Sequence, residues 1–307
     1  MRVFLFKKLF EVMLVLFIVS SVVFVLVYIA GDPVALMLPD GATQNDIEAL
    51  RTSLGLNDPF ILQYFRYIGD LLQGSFGESW RYNAEALPIV LDRLPATFEL
   101  AFFSLLVALL ISVPLGVWSA TKRNSVLDVF ITGGSVLGKA MPNFWLGIML
   151  ILLLSVTYQV FPVSGRGTYA HIVLPAITMG TGIASEMTRL LRSKMIDILS
   201  QDYIRTAKSK GLRKYIVIYK HALKNGLNPV ITILALQTST VIGGALITET
   251  VFAWPGLGQL LVQAVYARDM AIVQASIFVV AFLVILMNLF ADVIYRVVDP
   301  TIKYSKG

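Results

Sequence analysis

Three residues of the chain have the spacing of a phosphate-binding loop, in which backbone N–H groups and a lysine hold the phosphates of a nucleotide. Gly133, Gly138 and Lys139 fit this pattern, but Ala140 stands where the loop needs a hydroxyl group for magnesium. The stretch also lies inside an apolar run, and Pro142 follows almost at once. We therefore predict no nucleotide site on this chain, and interpret the glycines as allowing close packing of membrane helices.

No other pattern supports catalysis or metal binding. The chain has no cysteine, which excludes disulfides and thiolate metal sites, and His171 and His221 lie far apart in the sequence. The metal-binding pattern HExxH, the nucleophilic pattern GxSxG and paired carboxylates within one apolar span do not occur. We predict that the protein is not an enzyme and that it binds no cofactor and no metal itself. A stand-alone carrier would need internal repeats or several charges within the membrane, and only Lys139, Glu186 and Glu249 are candidates for such charges.

The composition indicates a membrane protein. Of the 307 residues, 57% are hydrophobic and 14% are charged, whereas soluble domains contain about 25% charged residues. Six stretches approach or exceed the length of about 20 apolar residues that crosses a bilayer as a helix. They cover residues 9–30, 97–120, 129–158, 171–191, 229–252 and 271–295. We expect Pro142 to kink or divide the third span, and Pro114 to do the same in the second.

One segment between these spans is strongly basic. Ten of the 25 lysine and arginine residues lie between Arg189 and Pro229, and such a residue at the centre of a membrane helix costs roughly 2.5–3.5 kcal/mol. We predict two helices joined at Gly211, which can adopt a positive φ, with Asn225, Gly226 and Pro229 ending the second.

The second of these helices is predicted to be amphipathic. Spacings of three and four residues place one apolar set opposite one basic set. The apolar set is Leu212, Tyr215, Ile216, Tyr219 and Leu223, and the basic set is Arg213, Lys214, Lys220, His221 and Lys224. Charge and periodicity alone fit a helix on lipid head groups and a helix on a protein partner equally well.

The basic residues also predict the orientation. With the N-terminus inside, 18 of them lie on the inner side and six on the outer side, while Lys139 falls within a span. Because cytoplasmic loops are enriched in lysine and arginine, we predict that both termini and the basic segment are cytoplasmic. The outer segment 31–96 is acidic, with helices predicted to begin near Thr43 and Pro59 and turns at Gly74 and Gly77. At this size we expect it to be a cap on the membrane bundle and not an independent domain.

The order of short motifs resembles the permease subunits of ABC importers, in the branch for dipeptides, oligopeptides, nickel and glutathione. The basic segment contains DYIRTAKSKGL at 202–212 and YKHALKNGLNPVI at 219–231, and Arg205, Thr206, Ala207 and Gly211 have the spacing of the family's EAA loop. Six further motifs are GDPV at 31, LGLNDPF at 54, GSFGESW at 74, PVSGRG at 162, ETVFAWPGLGQLL at 249 and VDPTIKY at 298. One departure is Arg205, which occupies the place of the motif's glutamate.

This resemblance implies an all-α membrane protein with six transmembrane helices, the type I ABC importer permease fold, and an outer segment between helices 1 and 2. Its expected parts are residues 1–30 with the first helix, the outer segment 31–96, and a five-helix core 97–307 that contains a cytoplasmic coupling loop, 192–228. The implied partners are a second homologous permease, two ABC ATPase subunits that hold ATP and magnesium, an extracytoplasmic substrate-binding protein, and the lipid bilayer of a bacterial or archaeal cytoplasmic membrane. No nucleic acid is expected to bind. The expected substrate is a short peptide, with nickel chelates, glutathione or another small solute as the alternative.

Three groups of residues are expected to serve this function. The coupling loop would contact the ATPase through Asp202, Arg205, Thr206, Ala207, Gly211, Leu212, Tyr215, Tyr219 and His221. An outer gate would contain Glu249, Trp254, Pro255, Gly256 and Gly258, although these residues equally fit a rigid turn in which Trp254 is an interfacial anchor. The pathway would contain Lys139, Pro142 and Glu186; here Lys139 either meets a carboxylate, from Glu186 or a peptide C-terminus, or only anchors its helix at the inner interface.

Overall fold

The computed structural model of the chain describes residues 2–30, 34, 38 and 43–298, most of which are helical. Two compact units can be distinguished: Met1–Thr97 with Pro255–Ile285, and Phe98–Trp254 with Leu286–Gly307. The motifs GDPV and VDPTIKY lie outside the described residues except at Val34 and Val298. Met1 and residues 299–307, the two termini that are predicted to be cytoplasmic, also lie outside them.

The first unit contains the first transmembrane helix and the outer segment. Its elements are α1 (Arg2–Ala30), α2 (Gln44–Ser53), α3 (Phe60–Leu72), the antiparallel strands β1 (Glu78–Ser79) and β2 (Ala84–Glu85), α4 (Ala86–Leu91), the start of α5 (Leu94–Thr121), α11 (Leu257–Ala267) and the first part of α12 (Met270–Val298). Helices α2 and α3 follow Thr43 and Pro59 as predicted. The Thr43 side chain accepts a hydrogen bond from the Asp46 N–H, and the Thr43 hydroxyl and N–H donate to the Asp46 carboxylate, which lowers the pKa of Asp46.

Buried contacts join the short hairpin to α12 within this unit. The Asp269 carboxylate is 1% exposed, accepts a hydrogen bond from the Ser79 hydroxyl, and accepts another from the Ile272 N–H at 3.3 Å. The rings of Phe76 and Phe278 lie 5.3 Å apart. The outer segment is therefore packed against the start of α12 within this unit, and its role as a cap stays a prediction.

The second unit is formed mainly by long helices. After α5 come α6 (Val126–Ala140), α7 (Asn143–Leu150) with a π-helical continuation (Ile151–Thr157), α8 (Tyr169–Leu199), α9 (Asp202–Ser209), and α10 (Leu223–Val251), which is preceded by a second π-helical segment (Ile216–Ala222). The last part of α12 completes the unit.

Four helical stretches among the described residues are long and apolar enough to cross a membrane. They are Phe10–Ile29, Ala86–Thr121, Ile216–Val251 and Met270–Tyr295. The third predicted span is bent by 105° between Val126–Ala140 and Asn143–Thr157, and this pair counts as a fifth if it is one span. The division predicted at Pro142 is confirmed, whereas α5 continues through Pro114 without a break. The number six stays a prediction.

The fourth predicted span lies in α8, whose surroundings differ from those of the other long helices. This 31-residue helix is enclosed by its own unit: Met187 is fully buried, and a methyl group at Gly180 would lie 2.8 Å from the carbonyl oxygen of Ser104 in α5. A helix that faces protein can carry polar residues that a lipid-facing helix does not tolerate. This explains why α8 is less apolar than the four stretches above.

The structure corrects the predicted end of the basic segment. Asn225, Gly226 and Pro229 do not end its second helix, because α10 continues through all three to Val251. A methyl group at Gly226 would lie 2.9 Å from Met195 Sδ, so this glycine permits a close helix contact and does not form a turn. Membrane helices also tolerate proline where neighbouring groups satisfy the freed backbone carbonyl.

Candidate functional site

The segment predicted to contact an ATPase begins where α8 ends. The first predicted helix is in fact two, because α8 ends at Leu199 and α9 begins at Asp202. The joint at Gly211 is confirmed, since its φ of +74° follows the last turn of α9. A methyl group at Gly211 would meet no atom of the described residues within 4 Å, so the backbone conformation, and not crowding, requires the glycine here.

Helix α9 is short and has one exposed face. Ile204 and Ala207 are buried, whereas Asp202, Arg205 and Thr206 are exposed. Arg205 lies 3.7 Å from Asp202, and both side chains are at least three-quarters exposed. An ion pair this long and exposed contributes little, so the Arg205 guanidinium is available to another protein.

The helix after Gly211 exposes aromatic residues. Tyr215 is 70% exposed, and its ring centre lies 4.6 Å from that of Tyr219. The buried side consists of Val217, Ala222 and Leu223. The predicted face, which grouped both tyrosines with Leu223, is wrong because π-helical bonding over Ile216–Ala222 shifts residues around the axis relative to an α-helix.

The remaining coupling residues frame this exposed area. Leu212 is 38% exposed, and His221 is half-buried. The Asn225 amide donates to the Tyr203 hydroxyl at 3.0 Å, which ties α9 to α10. We define the coupling surface by its exposed residues, Asp202, Arg205, Thr206, Leu212, Tyr215 and Tyr219.

Two of the predicted pathway residues form an ion pair. Lys139 Nζ, at the end of α6, lies 2.9 Å from Glu186 Oε2 of α8, and the side chains are 52% and 34% exposed. The helices approach closely beside this pair, because a methyl group at Gly138 would lie 2.5 Å from the Ser185 hydroxyl. Pro142 immediately precedes α7, on the other side of the 105° bend.

Close packing does not explain every glycine of α6. Methyl groups at Gly133 and Gly134 would meet no atom within 4 Å in the part of the chain that the structure describes, so the interpretation as close helix packing holds there for Gly138 and not for these two.

A buried ion pair that the sequence analysis missed lies at the other end of α6. The Asp128 carboxylate, 3% exposed, accepts hydrogen bonds of 2.7 Å from both Nε and Nη2 of Arg192. It also accepts one from the Asn124 N–H at 2.9 Å and one from the Ser119 hydroxyl. The pair thus joins α5, α6 and α8 close to the coupling surface. The available signal was Ser125, which caps α6 three residues before Asp128.

The predicted gate residues of the second unit lie in a tightly bonded turn. Glu249 is fully buried and Trp254 is 1% exposed, and the Trp254 N–H donates to the Glu249 carbonyl at 2.8 Å. The Arg166 guanidinium lies 5.7 Å from the centre of the Trp254 ring and donates to Glu99 Oε2 at 2.5 and 2.9 Å. Protein therefore surrounds Trp254, and its interpretation as an interfacial anchor is wrong.

The gate residues of the first unit are equally ordered. Pro255 and Gly256 precede α11, in which Gly258 is buried, and the Leu257 N–H donates to the Thr97 hydroxyl at 2.8 Å. Buried side chains and backbone hydrogen bonds are features of a rigid turn more than of a moving gate.

Comparisons with known protein families match nearly the whole chain. Residues 112–304 match the model described as "Binding-protein-dependent transport system inner membrane component". Residues 1–101 match the model described as "Binding-prot-dependent transport system membrane comp, N-term".

Curated relatives are similar over most of their length. The chain is 42% identical to the oligopeptide transport system permease protein AppB of Bacillus subtilis (strain 168), over 89% of this chain and 90% of the relative. It is 37% identical to the dipeptide transport system permease protein DppB of Escherichia coli (strain K12), over 91% of each chain. It is 36% identical to the glutathione transport system permease protein GsiC of the same strain, over 98% of this chain and 99% of the relative.

A solved structure is similar in fold. A chain of the MetNI methionine ABC transporter, in an inward-facing conformation, aligns with a TM-score of 0.56 over 69% of this chain and 96% of that chain. The identity is 20%, so this likeness concerns the fold alone, which is that of type I ABC importer permeases.

Proposed function

Because the chain belongs to the family of binding-protein-dependent transport system inner membrane components, we propose that it is the permease subunit of an ATP-driven importer of short peptides. Relatives named as oligopeptide and dipeptide permeases support the peptide substrate at 42% and 37% identity. A relative named as a glutathione permease supports a second candidate, glutathione, at 36% identity. Glutathione is itself a small peptide, so both candidates have free ammonium and carboxylate groups.

The observation that carries this proposal is the coupling surface. Its exposed residues lie on the short segment between two long helices: Arg205 is on α9, which directly follows α8, and the tyrosines are on the helix that continues into α10. A protein that binds this surface and changes shape can move both helices as rigid levers. We propose that the partner is an ABC ATPase that holds ATP and magnesium, with two copies serving this permease and a second, homologous one. Since arginine replaces the glutamate of the motif, the ATPase should present a carboxylate to Arg205.

The Lys139–Glu186 pair is proposed to line the pathway. A peptide brings an ammonium and a carboxylate, and the pair offers one opposite charge for each. An ion pair with half-exposed side chains is worth about 0–1 kcal/mol, so exchange with the substrate's charges costs little. The same two side chains would thereby contact substrate and close the path when it is empty.

The turn from Glu249 to Trp254 is proposed as a fixed element and not as a moving gate. The burial of Glu249 and Trp254 and the hydrogen bond from the Trp254 N–H to the Glu249 carbonyl support this alternative. Substrate would be delivered to the outer side by an extracytoplasmic binding protein, in a cytoplasmic membrane with both termini of the permease inside.

Transport by the complete complex tests the proposed function. The chain, its second permease and the ATPases are reconstituted in vesicles with the binding protein, and uptake of a radiolabelled dipeptide, a tripeptide and glutathione is measured with ATP and with a non-hydrolysable analogue. We expect ATP-dependent uptake of at least one of these, with the preferred one identifying the substrate. ATP-dependent uptake of none of the three, in a complex whose ATPase is active, would contradict a peptide importer.

Coupling is tested at Gly211 with a matched pair of variants. Asparagine tolerates positive φ whereas valine does not, and a Cβ atom at this position lies more than 4 Å from every described residue that is not adjacent to it. We expect Gly211→Asn to retain substrate-stimulated ATP hydrolysis, and Gly211→Val to lose it while the subunit still inserts. Normal stimulation in the valine variant would contradict the coupling role without affecting the identity of the substrate.

A further inference from the structure

Helix α3 has an apolar face that the described chain does not cover. Ile61, Phe65, Ile68 and Leu72 recur at positions i, i+4, i+7 and i+11, which places them in one stripe along the helix. Ile61 is 66% exposed, Phe65 67% and Leu72 83%, whereas Ile68, at the edge of the stripe next to α1, is half-buried. Large apolar side chains in an exposed stripe mark a contact with another protein or with a membrane.

The other faces of α3 have different surroundings. On one side, Phe60, Tyr64 and Tyr67 pack against α1. On the polar side, Arg66 Nη2 lies 2.7 Å from Asp58 Oδ2, which precedes the helix. The apolar stripe is therefore a third face, adjacent to the one that packs on α1.

The contacts with α1 fix the depth of α3. The apolar stretch of α1 is Phe10–Ile29, and its 20 residues span about 30 Å, the thickness of the hydrocarbon core. Phe24 is five residues before the end of this stretch, or about 7 Å inside the boundary at 1.5 Å per residue. Its ring centre lies 5.5 Å from that of Phe60, 5.3 Å from Tyr64 and 5.2 Å from Tyr67.

The contacts run in order along both helices, so α3 packs antiparallel beside the last turns of α1. The rings of Phe60 and Tyr28 lie 4.9 Å apart, and one turn further along α3 the Tyr64 hydroxyl oxygen lies 2.7 Å from that of Ser21. Phe24 lies between these two contacts and meets Phe60, Tyr64 and Tyr67.

We propose that the stripe of Ile61, Phe65, Ile68 and Leu72 contacts the acyl chains of the outer leaflet. Helix α3 packs beside the last turns of the apolar stretch of α1, so its uncovered face lies at the depth of the hydrocarbon core. On the same part of α1, Val22, Leu26 and Ile29 are 51%, 58% and 73% exposed, as expected of side chains that face lipid. The lipid bilayer would thus hold the outer segment at the membrane.

Single-cysteine labelling tests this contact, since the chain has no native cysteine. An environment-sensitive fluorophore is attached to Phe65→Cys, to Asp70→Cys on the opposite face of α3, and to Leu26→Cys on the lipid-facing side of α1. The full-length protein is placed in phosphatidylcholine vesicles that contain a nitroxide high on the acyl chain, a nitroxide near its end, or aqueous iodide. We expect Phe65→Cys to be quenched several-fold more by the shallow nitroxide than Asp70→Cys, and less by the deep nitroxide than by the shallow one.

Two results would overturn this contact with lipid. Quenching of Phe65→Cys by iodide as strongly as Asp70→Cys would show that the stripe faces water. Protection from both iodide and lipid nitroxides, with Leu26→Cys still quenched by lipid, would show that another protein covers it. Repeating the measurement at Leu72→Cys guards against a local effect of one label. None of these outcomes depends on which solute is transported.

Discussion

Replacement of Arg192 by glutamine tests how α5, α6 and α8 are held together. In the parent protein the Asp128 carboxylate is 3% exposed and receives two hydrogen bonds of 2.7 Å from the guanidinium. The variant keeps the donors from Ser119 and Asn124, but among the described residues the buried charge then has no cation within ion-pair distance. Removing one partner of a buried ion pair costs about 3–5 kcal/mol, and the two remaining donors place our expectation at the lower limit, about 3 kcal/mol.

The two partners should respond unequally. The Arg192 side chain is 26% exposed, so in an Asp128→Asn variant the guanidinium still reaches water, and we expect a loss of about 1–2 kcal/mol. The double variant has no unpaired buried charge. It should therefore be more stable than Arg192→Gln alone, which is the sign of a direct interaction between the two side chains.

Thermal unfolding of the purified chain in detergent measures these differences. Because 1 kcal/mol shifts Tm by roughly 2–4 °C in proteins of 150–250 residues, Arg192→Gln should lower Tm by about 6–12 °C. The control is Glu99→Gln, which breaks the more exposed Arg166 pair, with side chains 42% and 31% exposed, and should cost no more than about 1 kcal/mol. Unfolding of Arg192→Gln within about 2 °C of the parent, or a double variant no more stable than Arg192→Gln, would show that the pair does not hold these helices together.

Three further predictions concern the pathway, the helix packing and the outer turn. Lys139→Met keeps the apolar stem and removes the charge, so substrate uptake should slow while assembly and basal ATP hydrolysis persist. Glu186→Gln should have a similar effect. Uptake at the parental rate would show that Lys139 is only an anchor. Gly180→Ala places a methyl group 2.8 Å from a backbone oxygen and should cost about 1–3 kcal/mol in thermal unfolding, whereas Gly182→Ala, with 3.8 Å to its nearest neighbour, should be nearly neutral. A cysteine at Leu257, which is 1% exposed, should react slowly and at the same rate with and without ATP, and faster labelling with ATP would indicate a moving gate.

The sequence predicted where helices begin and break better than which side of each helix is buried. Helix starts at Thr43 and Pro59, the turn at Gly211 and the break at Pro142 all follow from backbone preferences of a residue and its immediate neighbours. Because such preferences act locally, they can be recognised in the sequence without knowledge of the fold. Gly226 shows the limit, because a glycine required by a helix contact looks the same in sequence as one that ends a helix.

Side-chain positions that depend on distant residues escaped prediction. The π-helical segment Ile216–Ala222 changes which side of its helix is buried, and the spacing of the residues does not indicate π-helical hydrogen bonds. Asp128 and Arg192 are far apart in sequence and belong to different helices, so only the fold brings them together. The pairing of Lys139 with Glu186 was predictable because few charged residues fall within the apolar stretches, which leaves few possible partners.

The two ion pairs between α6 and α8 are suited to different tasks because their burial differs. In the Asp128–Arg192 pair the carboxylate is closed to water and loss of its arginine costs about 3 kcal/mol, whereas the half-exposed Lys139–Glu186 pair costs about 1 kcal/mol or less to break. The first joins the start of α6 to the part of α8 nearest the coupling surface, and the second joins the end of α6 to α8 next to the 105° bend. We infer that, when a partner at the coupling surface moves α8, α6 would move with it at the Asp128–Arg192 pair. The two helices would separate at the Lys139–Glu186 pair. Opening would then occur at the pair whose charges match those of a peptide, while the buried pair serves as the hinge.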